Sequence, residues 1–335
     1  MTADTRIDRV TFRVPDPDHR YAAVRLRSDL PEADFFREGD DWMLEIDVGP
    51  LDRLEYLLEL EHPGGERELV GDPGAPHRAP GAFGEKSVVL APGYEPPGWL
   101  GAEPVPGETI ELAPRGRGLR GTVPVTVWSP AGSGEETLPL LVTHDGPEYD
   151  ALSSLTHYAG AMIAIGELPS FKVAMLGPGN RDEWYSGSAH YARALATDVL
   201  PAVESAVLPV GMGASLGALA MLHAHARRGV FAGLFLQSGS FFVPRHDAHE
   251  SRFPRYRRIV RVVRELYRDA GPPVPAALTC GVGEENLANN RLMARALATQ
   301  GFEATLHVNP DLHNYTGWRD TFQPHLTRLL ARLWG

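Results

Sequence analysis

Gly213-Ala214-Ser215-Leu216-Gly217 is the one G-x-S-x-G in the chain; it follows an apolar run ending at Val210 and opens a helical pattern over Leu216–Arg228. A strand that turns at once into a helix holds its corner residue in a strained conformation. The flanking positions must then be small, because larger side chains would strike the neighbouring backbone. The sequence therefore predicts Ser215 at a helix N-terminus, its hydroxyl presented to a cleft where unpaired amide groups stabilise negative charge. Two glycines and a serine also make an ordinary tight turn, so the rest of the chain must supply the partners that the chemistry needs.

A serine hydroxyl is a weak nucleophile at neutral pH and requires a base within hydrogen-bond reach and a third group to orient that base. Downstream, the strand-like residues 277–280 run into Gly281-Val282-Gly283-Glu284-Glu285, and a loop at 309–317 containing His313 precedes the final helical stretch. This is the chain order of α/β-hydrolases: serine, then acid after a later strand, then histidine before the last helix. Of the adjacent carboxylates Glu284 is preferred, with Glu285 left open. His223 and His225 lie two apart on a predicted helix and face different ways, which is wrong for a shared metal. The oxyanion of an acyl-transfer intermediate needs two N–H groups. Leu216 supplies one; the turn His144-Asp145-Gly146-Pro147-Glu148-Tyr149 must supply the other. Pro147 has no amide hydrogen, which leaves Gly146, with Glu148 as a further candidate.

The chain has 335 residues, 43% hydrophobic and 22% charged, with a formal net charge of -11. These are globular values, which exclude wholesale disorder, collagen and coiled coil. The acidity sits in residues 1–100, with 21 Asp and Glu against 11 Lys and Arg, so neither nucleic acid nor an anionic membrane surface is an expected partner. The single cysteine, Cys280, excludes an internal disulfide and a CxxC motif. The first ten residues carry acids where a leader needs a basic start and an apolar run, so the expected location is the cytoplasm.

Residues 1–95 show short period-two alternations such as Val10-Thr11-Phe12-Arg13-Val14, which predict a small all-β domain of immunoglobulin-like sandwich type. Residues 96–107 lie in a Pro/Gly-rich linker that is expected to hold neither a helix nor a central strand. From 108 to 335 strands alternate with helices, which predicts an α/β domain with a mostly parallel sheet. Strands are expected near 123–128, 138–143, 172–176, 206–210, 233–237 and 277–280.

Four motifs in order, the strand ending in His144-Asp145-Gly146-Pro147-Glu148-Tyr149, the serine turn, Cys280-Gly281-Val282-Gly283-Glu284-Glu285-Asn286 and His313-Asn314-Tyr315-Thr316-Gly317-Trp318-Arg319, resemble the enterochelin (siderophore) esterase group of esterase D-type α/β-hydrolases. Arg181-Asp182-Glu183-Trp184-Tyr185 is similar to that group's Arg-x-x-Glu-Tyr segment with one tryptophan added. The resemblance implies a serine carboxylic-ester hydrolase with catalytic Ser215, His313 and Glu284, and an oxyanion site at Leu216 and Gly146. It implies a small-molecule ester substrate in the form of an iron-loaded siderophore trilactone, and the mechanism calls for no metal or organic cofactor. Arg181, Trp184, Tyr185 and Trp318 are further candidates for substrate contact, set against the commoner role of aromatic residues in packing. The acid in such enzymes follows a glycine-x-x-carboxylate pattern, which selects Glu284.

The eight arginines of residues 245–268 read either as an anion-binding lid or as the solvated side of an amphipathic helix. Other esters, acyl transfer, peptide hydrolysis and a non-catalytic binding module stay open at this level. So does the oligomeric state.

Overall fold

The computed structural model describes residues 6–81, 84–134 and 136–335; residues 1–5 of the stretch read above for a leader lie outside them. The chain divides into two compact units, the first made of Met1–Pro96 with Gly281–Glu284 and Asn309–Gly317, the second of the remainder.

In the first unit the described residues between 7 and 90 form strands and no helix. Its strands are β1 (Ile7–Pro15), β2 (Ala23–Ser28), β3 (Ala33–Asp34), β4 (Phe36–Glu38), β5 (Asp41–Leu51), β6 (Arg53–Glu61), β7 (Arg67–Val70), β8 (His77–Ala79) and β9 (Lys86–Leu90). They form two sheets with antiparallel pairing, one ordered β1-β5-β4 and one ordered β3-β2-β6-β9-β8 with β7 on β6. The alternation in β1 places Val10, Phe12 and Val14 inward, and β6 does the same with Leu54, Tyr56, Leu58 and Leu60. These residues share one core with Val24, Leu26, Trp42 and Leu44, so side chains from both sheets meet in it. Leu312, far along the chain, belongs to the same core.

The second unit holds β10 (Gly107–Leu112), β11 (Val125–Pro130), β12 (Leu140–His144), β13 (Lys172–Leu176), β14 (Val210–Ala214), β15 (Gly233–Gln237), β16 (Pro275–Gly281) and β17 (Glu303–Asn309). They make one eight-stranded sheet ordered β10-β11-β13-β12-β14-β15-β16-β17. Pairing is antiparallel from β10 through β13 and parallel across β13, β12, β14, β15 and β16, so the sheet is mixed and parallel at its centre. The longer helices are α1 (Gly146–Ser153), α2 (Leu155–Ala164), α6 (Leu216–Arg228), α7 (Tyr256–Leu266), α8 (Leu287–Thr299) and α10 (Thr327–Trp334); the shorter are α3 (Arg181–Tyr185), α4 (Ala189–Ala194), α5 (Leu200–Ala202) and α9 (Tyr315–Arg319). Among the described residues no helix is long and apolar enough to cross a membrane.

The strand expected at 206–210 begins only at Val210, and Val207 and Leu208 are exposed. The true strand is Val210-Gly211-Met212-Gly213-Ala214, whose small residues hide it from a period-two pattern. A Cβ on Gly211 would crowd the Phe231 ring at 3.1 Å. The helix expected from 190 to 206 is broken, ending near Pro201. In the Pro/Gly-rich segment a 3-10 turn, Gly98–Gly101, buries Trp99 against the Tyr158 and Phe322 rings, so this stretch is anchored.

Candidate active site

The serine side is built by steric exclusion. Ser215 has φ 55° and ψ -123°, a left-handed conformation costly for a residue with a side chain, between the end of β14 and the first turn of α6. A Cβ on Gly213 would lie 2.6 Å from the Gly217 carbonyl carbon, and one on Gly217 would lie 3.1 Å from the His144 Cβ. Gly213 is therefore required by the tightness of the turn, and Gly217 is favoured by it. Around Ser215, residues 210–214 and 216–225 are all buried while Ser215 itself is half-buried, so the hydroxyl is the polar group that this corner presents. Its Oγ lies 3.0 Å from the Ser240 Oγ, and the Ser240 N–H donates to the Ser215 carbonyl at 3.1 Å.

Leu216 is the first residue of α6, where backbone N–H groups have no acceptor within the helix. Gly146 opens α1 directly after Asp145, which has φ 50°. A Cβ there would collide with the Met175 backbone on β13, which explains the glycine. The two ends are tied by His144. Its Nδ1 is 3.0 Å from the Gly217 carbonyl and its Nε2 is 2.8 Å from the Tyr191 hydroxyl. A carbonyl only accepts, so Nδ1 carries the proton and Nε2 accepts from Tyr191. Burial pushes the His144 pKa down to about 4, so the ring is neutral at physiological pH.

The histidine side is built by hydrogen bonds. His313 Nδ1 lies 2.7 Å from Glu284 Oε2, and the other oxygen, Oε1, accepts the Gly281 N–H at 2.7 Å. The carboxylate is thus held at both oxygens and is buried, while the His313 side chain is 31% exposed. Glu285 points elsewhere and pairs with His249 at 2.8 Å. Because a carboxylate accepts, Nδ1 of His313 donates and Nε2 is left with its lone pair.

The four residues expected at the substrate lie as follows. Arg181 makes a bidentate ion pair with Asp145 at 2.9 and 2.8 Å and keeps 36% exposure. Trp184 is buried and stacks on Tyr191 with centroids 5.4 Å apart, and Tyr185 is fully buried. Trp318 is buried and donates Nε1–H to the Ser238 Oγ at 2.9 Å. In the arginine-rich segment, Ile259, Val260, Val262, Val263 and Leu266 of α7 enter the core. Arg255 and Arg258 pair with Glu183 at 2.8 and 2.6 Å. The helix packs in the amphipathic manner. Among the described residues one group, His249, Glu250 and Glu285, brings three metal-ligating atoms within 4.8 Å, at the surface.

No protein-family model matches the chain, and no curated protein matches it. Solved structures do. The ferric enterobactin esterase of Salmonella typhimurium superimposes with TM-score 0.75 at 19% identity, over 97% of this chain and 93% of that one. The fold is that of the enterobactin esterases. A second such enzyme, from Shigella flexneri in the presence of enterobactin, gives TM-score 0.74 at 18% identity, over 97% of this chain and 92% of that one. A ferulic acid esterase gives 0.55 at 16% identity, over 68% and 98%. The likeness in fold to the enterobactin esterases covers nearly the whole chain, whereas the four motifs lie in its later two thirds. Ser240 and Tyr191 are marked by no motif spacing, and His144 stands in the Gly146 motif without a role assigned to it there. The one available signal for Ser240 was the small polar run Gln237-Ser238-Gly239-Ser240 closing β15, the strand paired with that of the nucleophile.

Proposed function

We propose that the protein is a serine carboxylic-ester hydrolase in which Ser215, His313 and Glu284 act as one triad through an acyl-enzyme. The observation that carries this reading is the left-handed backbone of Ser215 at the head of α6, beside Gly213, where a Cβ would strike the Gly217 backbone. Support comes from the 2.7 Å His313–Glu284 bond, which leaves Nε2 of His313 as the base. It comes also from the parallel run of β12, β14, β15 and β16. Their carboxyl ends share one edge of the sheet, where ligands of such sheets bind, and the segments carrying Gly146, Ser215 and Glu284 follow three of these strands.

In the proposed reaction His313 Nε2 takes the Ser215 proton as Oγ attacks the ester carbonyl carbon. Glu284 orients the ring and stabilises its cation. The N–H groups of Leu216 and Gly146 hold the oxyanion, helped by the positive ends of α6 and α1. The C–O bond breaks as His313 returns the proton to the leaving alcohol. Water, deprotonated by the same nitrogen, then attacks the acyl-enzyme and releases the acid, regenerating the Ser215 hydroxyl.

For the substrate we propose an intracellular siderophore trilactone, on the ground that enterobactin esterases share the fold over 97% of the chain. The first unit is read as an immunoglobulin-like sandwich on the ground that its two antiparallel sheets meet in one core. A second reading, a smaller uncharged aryl ester, is favoured by the commitment of Arg181, Arg255 and Arg258 to carboxylates, which reduces the cations available to a tricatecholate anion. The test is fluorophosphonate labelling followed by a substrate panel of linear aryl esters, acylated sugars, peptides and iron-loaded trilactones. Labelling is expected at Ser215 and lost in Ser215→Ala, with turnover lowered on the order of 10⁴- to 10⁶-fold. Undiminished labelling of Ser215→Ala would exclude the reading. Turnover of aryl esters with every trilactone untouched selects the second substrate.

A further inference from the structure

The loop that carries His313 is tied to the corner where β5 ends at Leu51 and β6 begins at Arg53, all within the first unit. The Asp52 N–H donates to the Pro310 carbonyl at 2.7 Å. Leu312, 1% exposed, sits in the all-β core, and a Cβ on Gly283 would meet its Cδ2 at 2.6 Å. The third tie is ionic. The Arg53 side chain is 4% exposed, and its Nη2 donates to Glu55 Oε1 at 2.9 Å. Its Nη1 is buried, makes no hydrogen bond and faces Asp311 Oδ2 at 3.5 Å.

Asp311 spans the histidine. Its Oδ1 accepts the Leu312 N–H at 2.7 Å and the Asn314 side-chain amide at 2.8 Å, and Asn314 Oδ1 accepts the Gly317 N–H at 2.7 Å. The residues before and after His313 are therefore both fixed by one carboxylate. Burial pushes that carboxyl up to about 7, and the Arg53 charge is the largest influence drawing it back. An ionised acceptor makes the stronger bonds, so the grip on the loop depends on Arg53.

We infer that Arg53 is a positioning residue for His313, acting through Asp311 to hold residues 309–314 in the geometry in which the imidazole meets Glu284. The role rests on the triad proposed above. Buried ion pairs contribute little net stability compared with apolar packing. Loop geometry is thus the better account of why a charged group is kept at this corner.

The test uses the full chain and a small aryl ester. Arg53→Met, Arg53→Lys, Asp311→Asn and a core control, Leu58→Ala, are compared for kcat, KM, Tm and the downfield Nδ1 proton of His313 by NMR, beside Ser215→Ala and His313→Ala. Arg53→Met and Asp311→Asn are expected to lower kcat roughly 10- to 100-fold with KM nearly unchanged, and to broaden or abolish the downfield proton. Arg53→Lys is expected to restore most of kcat. Leu58→Ala should lower Tm and leave kcat intact, which separates positioning from general destabilisation. If Arg53→Met does not fold, Asp311→Asn carries the test. Wild-type kcat in the folded variants, with Ser215→Ala and His313→Ala inactive, overturns the positioning role and leaves the triad standing. Full activity in Ser215→Ala and His313→Ala removes the triad and the inference with it.

Discussion

The serine turn of the second unit and the histidine loop of the first, brought together here only as the proposed triad, are held by different physics. At the serine the contacts are steric: on Gly213 and Gly146 an added carbon would collide with backbone and on Gly217 it would crowd the His144 Cβ, and the strained corner at Ser215 is fixed by a buried strand and a buried helix. At the histidine, the chain is held by directed polar contacts, from Gly281 N–H to Glu284 to His313 and from Arg53 to Asp311 to the loop backbone. Steric sites fail by misfolding, whereas polar tethers fail by losing alignment. Substitutions on the two sides should therefore separate stability from turnover.

The largest separation is expected at the half-exposed imidazole. His313→Gln should lower kcat/KM on the order of 10⁴- to 10⁶-fold, and Glu284→Gln on the order of 10²- to 10⁴-fold. His313→Gln should leave Tm nearly unchanged, because the side chain is partly in solvent. Steady-state kinetics with thermal denaturation checks both. A His313→Gln variant that hydrolyses esters at the wild-type rate would show that the base lies elsewhere and would erase the contrast.

On the serine side the expected loss is in stability. Gly213→Ala places a carbon 2.6 Å from the Gly217 backbone and should cost about 2–4 kcal/mol, while Gly217→Ala meets His144 at 3.1 Å and should cost about 1–2 kcal/mol. Chemical denaturation of the two variants gives the order. Equal losses, or none, would mean that the turn is looser than its geometry and that steric exclusion is not what holds it.

This difference also explains what was legible in the sequence. A steric corner writes itself into a short contiguous pattern, so the serine turn, the Gly146 turn and the following helix could be read directly. The strand feeding the corner was misplaced for the same reason: Gly211 and Gly213 make way for the Phe231 ring and the α6 backbone, and their smallness removes the apolar alternation by which strands are recognised. Glu284 and His313 could be named from chain order, but their bond links residues that no local pattern joins. Arg53 and Asp311 lie in separate thirds of the chain, and their relation exists only through folding. Trp184 shows what a motif leaves open: its place in the sequence does not distinguish a ligand contact from packing, and its ring stacks on Tyr191.

The smallest effect distinguishes the two imidazoles themselves. His144 is buried, its pKa pushed down to about 4 by desolvation, with the Arg181 charge acting in the same direction and the Gly217 carbonyl and Asp145 opposing it. In the unfolded chain the ring takes up a proton near pH 6.5, so between about 6.5 and 4 the unfolded state binds more protons than the folded state. The stabilisation is present above pH 6.5 and is lost as pH falls toward 4, at up to about 1.4 kcal/mol per pH unit for this one group. His144→Asn retains an N–H for the Gly217 carbonyl but cannot titrate. Its stability should therefore be lower at pH 7 and should decline less steeply in this window, leaving the shares of His223 and His325, which burial also holds at about 4. Urea unfolding at several pH values reads the slope directly. An unchanged slope would mean that His144 is protonated in the fold, and its ring could then not accept from Tyr191 while donating to Gly217, so the tie between the Gly146 turn and the serine corner would have to be drawn differently.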